Sequence, residues 1–150
     1  MAAGTPTAGP FLLDVNVLIA LVDPGHVQHD DVHTWFGRAG KRAFATCPLT
    51  ENGLLRIVGH PSYPNSPGPP SAVVQALAAL RGLPGHLFWP DSGSLLDPKF
   101  CDASKLGSHG RVTDSYLLAL ARANHGRLAT LDHKLAADAV PGGAAALLLI

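Results

Sequence analysis

The sequence has no surplus of either charge: 11 Lys and Arg balance 11 Asp and Glu over 150 residues, with an isoelectric point near 7.1. A chain so balanced does not hold nucleic acid through bulk electrostatics, so any RNA or DNA contact must be local. Cysteine is nearly absent. Cys47 and Cys101, in a chain too long to need stapling, read as buried free thiols of a reducing compartment and not as a disulfide. Residues 1–10 contain no Lys or Arg, which excludes a secretory signal peptide and leaves a flexible leader of small residues, Gly and Pro; a cytoplasmic location is expected. A membrane span is lacking too, because the apolar stretch over residues 11–22 is about half a span and is interrupted by Asp14 and Asn16. No internal repeat is visible. With 47% hydrophobic residues, one domain over residues 11–150 is expected behind the leader, residues 1–10.

What is present is an alternation of short apolar runs and helical patterns. Phe11-Leu12-Leu13 reads as a strand buried on both faces, followed by a helix over residues 15–22 that Pro24-Gly25 stops. A helix over residues 26–38 carries Val27, Val32, Trp35 and Phe36 as its apolar stripe. A second strand over residues 43–46 leads to a helix over residues 51–58 with Thr50 as its N-cap. Residues 60–70 hold five prolines and read as a loop before a helix over residues 71–81. Leu87-Phe88-Trp89 is a third strand, and residues 91–110 form a polar, substrate-facing loop with one short helix. Thr113 caps a helix to Asn124 that Gly126 closes; residues 128–131 and 144–150 supply two further strands. Trp35, Phe36, Phe88 and Trp89 read as core aromatics. The pattern predicts an α/β fold, a mostly parallel sheet of four to five strands with helices on both faces and a ligand crevice at the carboxyl ends of the strands.

Asp14, Glu51, Asp114 and Asp132 each stand where a strand ends or a helix opens, and Glu51 is the only glutamate in the chain. Asp14 interrupts an apolar segment, where a lone carboxylate is costly unless hydrogen-bonded or metal-bound. Four acids gathered at one sheet edge repel one another, and a hard divalent cation, Mg²⁺ or Mn²⁺, relieves that repulsion. Metal-assisted chemistry on phosphate is the reaction class this points to. Asp114 and Asp132 also have plainer readings, as an acid favouring a helix N-terminus and as the N-cap of a helix over residues 133–139. Asn16 and Thr130 are placed to orient the carboxylates, or else are ordinary capping groups. Lys105, Arg111, Arg127 and Lys134 are near Asp114 or Asp132 in sequence and are candidate phosphate contacts. His26, His29 and His33 have a spacing that zinc uses, but no Glu or Cys completes the set, so a structural histidine group is expected.

These motifs resemble a known family. The segments Leu13-Asp14-Val15-Asn16-Val17-Leu18-Ile19-Ala20-Leu21, Trp35-Phe36, Cys47-Pro48-Leu49-Thr50-Glu51-Asn52-Gly53-Leu54-Leu55-Arg56, Val112-Thr113-Asp114-Ser115-Tyr116-Leu117-Leu118-Ala119-Leu120-Ala121 and Ala129-Thr130-Leu131-Asp132 are similar, in this order, to those of PIN-domain ribonucleases. The branch they resemble is the VapC-type toxin of bacterial toxin–antitoxin pairs. The likeness runs over residues 11–150 with no departure at the four acids; the proline-rich loop carries no family signal. It implies a Mg²⁺- or Mn²⁺-dependent endoribonuclease whose acidic pocket is Asp14, Glu51, Asp114 and Asp132, with Asp14 and Asp114 as direct ligands and the other two direct or through water.

The resemblance also implies partners: a small antitoxin whose tail fills the acidic crevice with a basic side chain, an RNA substrate, and a second copy in a homodimer. The helices over residues 15–22 and 72–80 are candidate surfaces for them. A haloacid-dehalogenase-type phosphatase also places an aspartate after its first strand, but Asn16 stands where that chemistry needs its general acid. A phospho-accepting receiver domain requires adjacent acids where Asp14 stands alone. A catalytically silent PIN-fold binding module is the remaining alternative, and the intact acids argue against it.

Overall fold

In a computed structural model describing residues 9–150, the central strand β1 (Phe11–Leu13) is wholly buried, as its unbroken apolar run requires. Most of the expected leader, residues 1–8, lies outside the described residues. Parallel to β1 run β2 (Phe44–Thr46) on one side and β4 (Arg127–Thr130) on the other; β3 (His86–Phe88) and β5 (Leu147–Leu149) form the edges. The sheet is five-stranded in the order β3-β2-β1-β4-β5, every pair parallel.

Successive residues of β1 feed opposite cores. Phe11 and Leu13 join a cluster containing Val17, Leu18, Val32, Trp35, Leu54 and Val73, while Leu12 joins Leu117, Leu118, Leu120 and Leu128 on the other face. The first face is covered by α1 (Val15–Val22), α2 (His29–Arg38), α3 (Pro48–Val58) and α4 (Pro70–Arg81), the second by α5 (Gly110–Ala123). This division is what right-handed crossovers demand: the helices between β1, β2 and β3 fall on one side, and the helix leading back to β4 falls on the other. The α/β fold with helices on both faces is therefore as expected.

Several boundaries differ from the sequence reading, each for a local reason. The second helix begins at His29, and Val27, assigned to its apolar stripe, is 92% exposed in the preceding turn. The third begins at Pro48 with Cys47 as N-cap; Thr50 sits inside the first turn, accepting from Cys47 N–H at 3.1 Å and donating to the Cys47 carbonyl at 3.1 Å. The last helix begins at Gly110 and not Thr113, which moves Asp114 out of the first turn. The helix expected over residues 133–139 after Asp132 is absent, those residues forming turns and irregular structure, and a short 3-10 helix over Gly143–Ala146 occupies the start of the expected last strand. Phe88 is also misread as core: it is 41% exposed on the edge strand, with the Arg81 guanidinium 4.8 Å above its ring.

Gly53 lets α3 approach α1, since a Cβ there would stand 2.8 Å from Val15 Cγ2. Both cysteines are buried free thiols. Among the described residues no helix is long and apolar enough to cross a membrane.

Candidate active site

In a sheet ordered β3-β2-β1-β4-β5, the winding direction reverses between β1 and β4, and a crevice opens beyond their carboxyl ends. Asp14 directly follows β1, its N–H bonded to the Ala129 carbonyl of β4 at 3.0 Å, and Asp132 follows β4 by two residues. Asp14 is also the N-cap of α1: its Oδ1 accepts from Val15 N–H at 2.7 Å. The other oxygen, Oδ2, accepts from Thr130 Oγ1 at 2.7 Å, so capping does not exhaust this 7%-exposed carboxylate.

Thr130 is the hub of the crevice. Its hydroxyl also accepts from Asn16 Nδ2 at 3.2 Å and from Asp132 N–H at 3.1 Å, while Asn16 Oδ1 accepts from Leu131 N–H at 3.1 Å. Asn16 and Thr130 thus lock the end of β1 to the turn after β4. In that turn Asp132 Oδ1 accepts from Lys134 N–H at 2.9 Å. From the opposite face α5 brings Asp114. Burial, then the charges of Asp14 and Asp132, push its carboxyl up to about 6 from an ordinary 3.8. Burial also raises Asp14, with Asp132 adding to it, against the lowering effect of its hydrogen bonds from Thr130 and Val15. Three aspartates from three chain segments therefore share one crevice and one excess of negative charge.

Glu51 is held differently. Its Oε2 accepts from Thr46 Oγ1 at 2.7 Å, and Arg81 Nη1 lies 3.4 Å from Oε1. Thr46 Oγ1 is also 2.7 Å from His86 Nε2, and burial with the nearby Arg81 charge lowers the His86 pKa, opposed by Glu51. The sequence reading missed Thr46, Arg81 and His86. Thr46 closes an apolar strand and gave no signal of its own; His86 becomes a neighbour only through the β2–β3 pairing, and Arg81 only through the approach of α4 to α3.

The basic candidates are dispersed. Arg111 pairs with Asp138 at 3.2 Å and donates to the Lys105 carbonyl at 3.2 Å. Lys105 and Lys134 are exposed. Arg127 opens β4, opposite Phe11, which places it at the amino end of the sheet, away from the crevice; the expectation that it contacts a phosphate there is corrected by that register. His29 and His33 stack with ring centroids 5.3 Å apart, and His29 Nδ1 lies 2.6 Å from the Ala20 carbonyl, so the pair anchors α2 to α1.

Among the described residues no group of three or more His, Cys, Asp or Glu has the geometry to hold a metal ion. Burial raises both Asp14 and Asp114, and beyond burial the charge of Asp132 acts on both and that of Asp14 acts on Asp114, as carboxylates facing one crevice do. That donor set suits a Mg²⁺-like cation, which keeps several waters and takes one or two carboxylates directly.

No protein-family profile matches the chain. It is 44% identical over 131 residues to Ribonuclease VapC44 of Mycobacterium tuberculosis, covering 87% of this chain and 92% of that protein. It is 43% identical over 131 residues to Ribonuclease VapC39 of the same organism, covering 87% and 94%, and 40% identical over 125 residues to Ribonuclease VapC29, covering 83% and 87%. The crystal structure of Mycobacterium tuberculosis VapC20, a sarcin-ricin loop cleaving toxin, shares the fold at a TM-score of 0.61 and 14% identity over 93% of this chain and 98% of that one.

Proposed function

The chain belongs to the VapC ribonucleases, the toxins of toxin–antitoxin pairs, and from that premise we propose that Asp14, Asp114, Asp132 and Glu51 form its catalytic centre for metal-dependent hydrolysis of RNA phosphodiesters. The observation that carries this reading is the convergence of Asp14, Asp114 and Asp132 at the switch point between β1 and β4, where burial and, after it, neighbouring aspartate charge push two of the three up. Asp14 and Asp114 are the residues that would hold a Mg²⁺ or Mn²⁺ ion, with Asp132 and Glu51 reached through water. When bound, such a cation neutralises charge on the phosphate and supplies an activated water.

The chain's own contribution is orientation. Thr130 aims Asp14 Oδ2, Asn16 fixes the turn that carries Asp132, and the buried body of α5 presents Asp114 from the opposite face. Exposed Lys105 and Lys134 are the side chains free to meet phosphate. The family implies a neutralising antitoxin, and a basic side chain of that partner complements the acid excess in the crevice. Helix α1 spends Val17, Leu18, Ile19 and Ala20 on the core, whereas α4 retains exposed Val74 and is the surface we assign to an antitoxin or a second copy. An RNA substrate and two buried free thiols support a cytoplasmic location.

The test is incubation of purified protein with total cellular RNA and Mg²⁺ or Mn²⁺, beside EDTA and an Asp14→Asn plus Asp114→Asn variant. Discrete fragments that disappear with EDTA and with the variant are expected. Undiminished cleavage by the folded variant would remove Asp14 and Asp114 from the centre.

A further inference from the structure

Glu51 is joined to an array that none of its relatives' names accounts for. Thr46, fully buried at the end of β2, is within 2.7 Å of both Glu51 Oε2 and His86 Nε2. A hydroxyl has one proton, and a carboxylate can only accept. Were Nε2 bare, two acceptors would compete for that single proton, and one 2.7 Å contact would face lone pair against lone pair. Both contacts are satisfied only when Nε2 carries hydrogen.

Resting on the ribonuclease reading above, we propose that His86 and Thr46 are positioning residues of the nuclease site: Nε2–H of His86 donates to Thr46 Oγ1, whose own proton is committed to Glu51 Oε2. The relay fixes one oxygen of Glu51 from β2 and β3, while Arg81 on α4 holds the other at 3.4 Å. Each donor is itself steadied by an aromatic ring: His86 meets Phe44 edge-on at 5.3 Å, and Arg81 lies 4.8 Å over Phe88. A hydroxyl that accepts a hydrogen bond donates a stronger one, so the imidazole tightens the Thr46–Glu51 bond without touching Glu51. Two of the carboxylate's four acceptor positions are taken by this frame, and two remain for the reaction. The result is a carboxylate on the first turn of α3 whose direction is fixed from β2, β3 and α4.

The ring nitrogens can be read directly by ¹⁵N NMR of the intact protein at mildly alkaline pH, with His86 assigned by loss of its signals in His86→Gln. The neutral Nε2–H tautomer is expected in the wild type, and Thr46→Val, which keeps the shape but removes the hydroxyl, releases it to a mixture. In RNA cleavage Thr46→Val is expected to lower kcat about tenfold with KM within about twofold. Thr46→Ser and His86→Gln, which keep a hydroxyl and an N–H of similar reach at their positions, are expected to lose several-fold less kcat than Thr46→Val and His86→Leu. His86→Leu removes the donor without disturbing the buried threonine, and must reproduce the kcat fall if Thr46→Val folds poorly. An Nδ1–H tautomer in the wild type, or wild-type kcat in Thr46→Val, overturns the relay while leaving the ribonuclease reading intact. Wild-type protein that cleaves no RNA under any divalent cation fails the ribonuclease reading and this role with it, although the tautomer still reports whether the bond exists.

Discussion

Thr130 uses its hydroxyl to capacity, donating once to Asp14 and accepting twice, from Asn16 and from the Asp132 amide. Replacing it by valine leaves the Asp14 carboxylate one donor short, and the charge it already shares with its neighbours becomes harder to bear. That charge has a pH signature. Asp114 titrates near 6 in the folded chain against an ordinary 3.8, so the folded state binds its proton more tightly than the unfolded state does. Its ionisation therefore costs stability, and the cost appears as pH rises from about 4 to about 6. Asp114→Asn is expected to be more stable than wild type at about pH 7 without divalent cation, with the gap closing as pH falls below about 4. Mg²⁺ is expected to raise the melting temperature of the wild type near neutrality and to leave the variant nearly unmoved; equal shifts in both would place the ion elsewhere. On the same helix, Ser115 is fully buried and, among the described residues, its hydroxyl has no hydrogen-bond partner. Ser115→Ala should then raise stability by about 1 kcal/mol in denaturant titration, and a loss would reveal a partner for the hydroxyl.

The elements show why local signals carried far. The three-residue shift in α3, from a Thr50 cap to a Cys47 cap, came from reading Thr50 as a flanking residue when its hydroxyl returns to Cys47 from the third helical position. The shift in α5 is more informative: with its start at Gly110, Asp114 is no longer explained as a first-turn acid, and its elevation needs the crevice. The loop over residues 60–70 was legible as proline-rich and not as anything more. In the structure Asp23, only 5% exposed at the end of α1, accepts from Tyr63 Oη, from Asn65 Nδ2 at 3.1 Å and from Gly25 N–H at 2.9 Å. Burial opposes its ionisation, but these donors and His26 bring its pKa below the ordinary value, while burial and Asp23 push Tyr63 up to about 12. A depressed acid stabilises the fold above its unfolded pKa, and that stability is lost as pH falls through the lower folded value. Asp23→Ala is expected to cost about 2 kcal/mol near neutrality and to open the loop to proteolysis; unchanged protease resistance would show that the prolines alone hold it.

At the scale of the molecule, the absence of net charge limits how RNA is held. With Arg111 paired to Asp138 and Arg127 at the far end of the sheet, Lys105 and Lys134 are left as free phosphate contacts among the basic candidates. Two such contacts give a shallow dependence of binding on salt, a slope of about −1.4 in log K against log[salt], measurable by anisotropy with a single-stranded RNA and the Asp14→Asn plus Asp114→Asn variant. A slope several times steeper would mean a larger basic surface, built by a second copy or a partner. The sequence by itself determined the two-sided burial of the strands, the helices between them and the family, and it singled out the four acids as candidates, because all of these are written in runs of a few neighbouring residues. The tertiary structure alone decided what those acids face. Thr130 reaches Asp14 across a sequence separation of 116, His86 reaches Thr46 across 40 and Arg81 reaches Glu51 across 30. The register of parallel strands joined by long crossovers sets such contacts, and no local pattern of residues records that register.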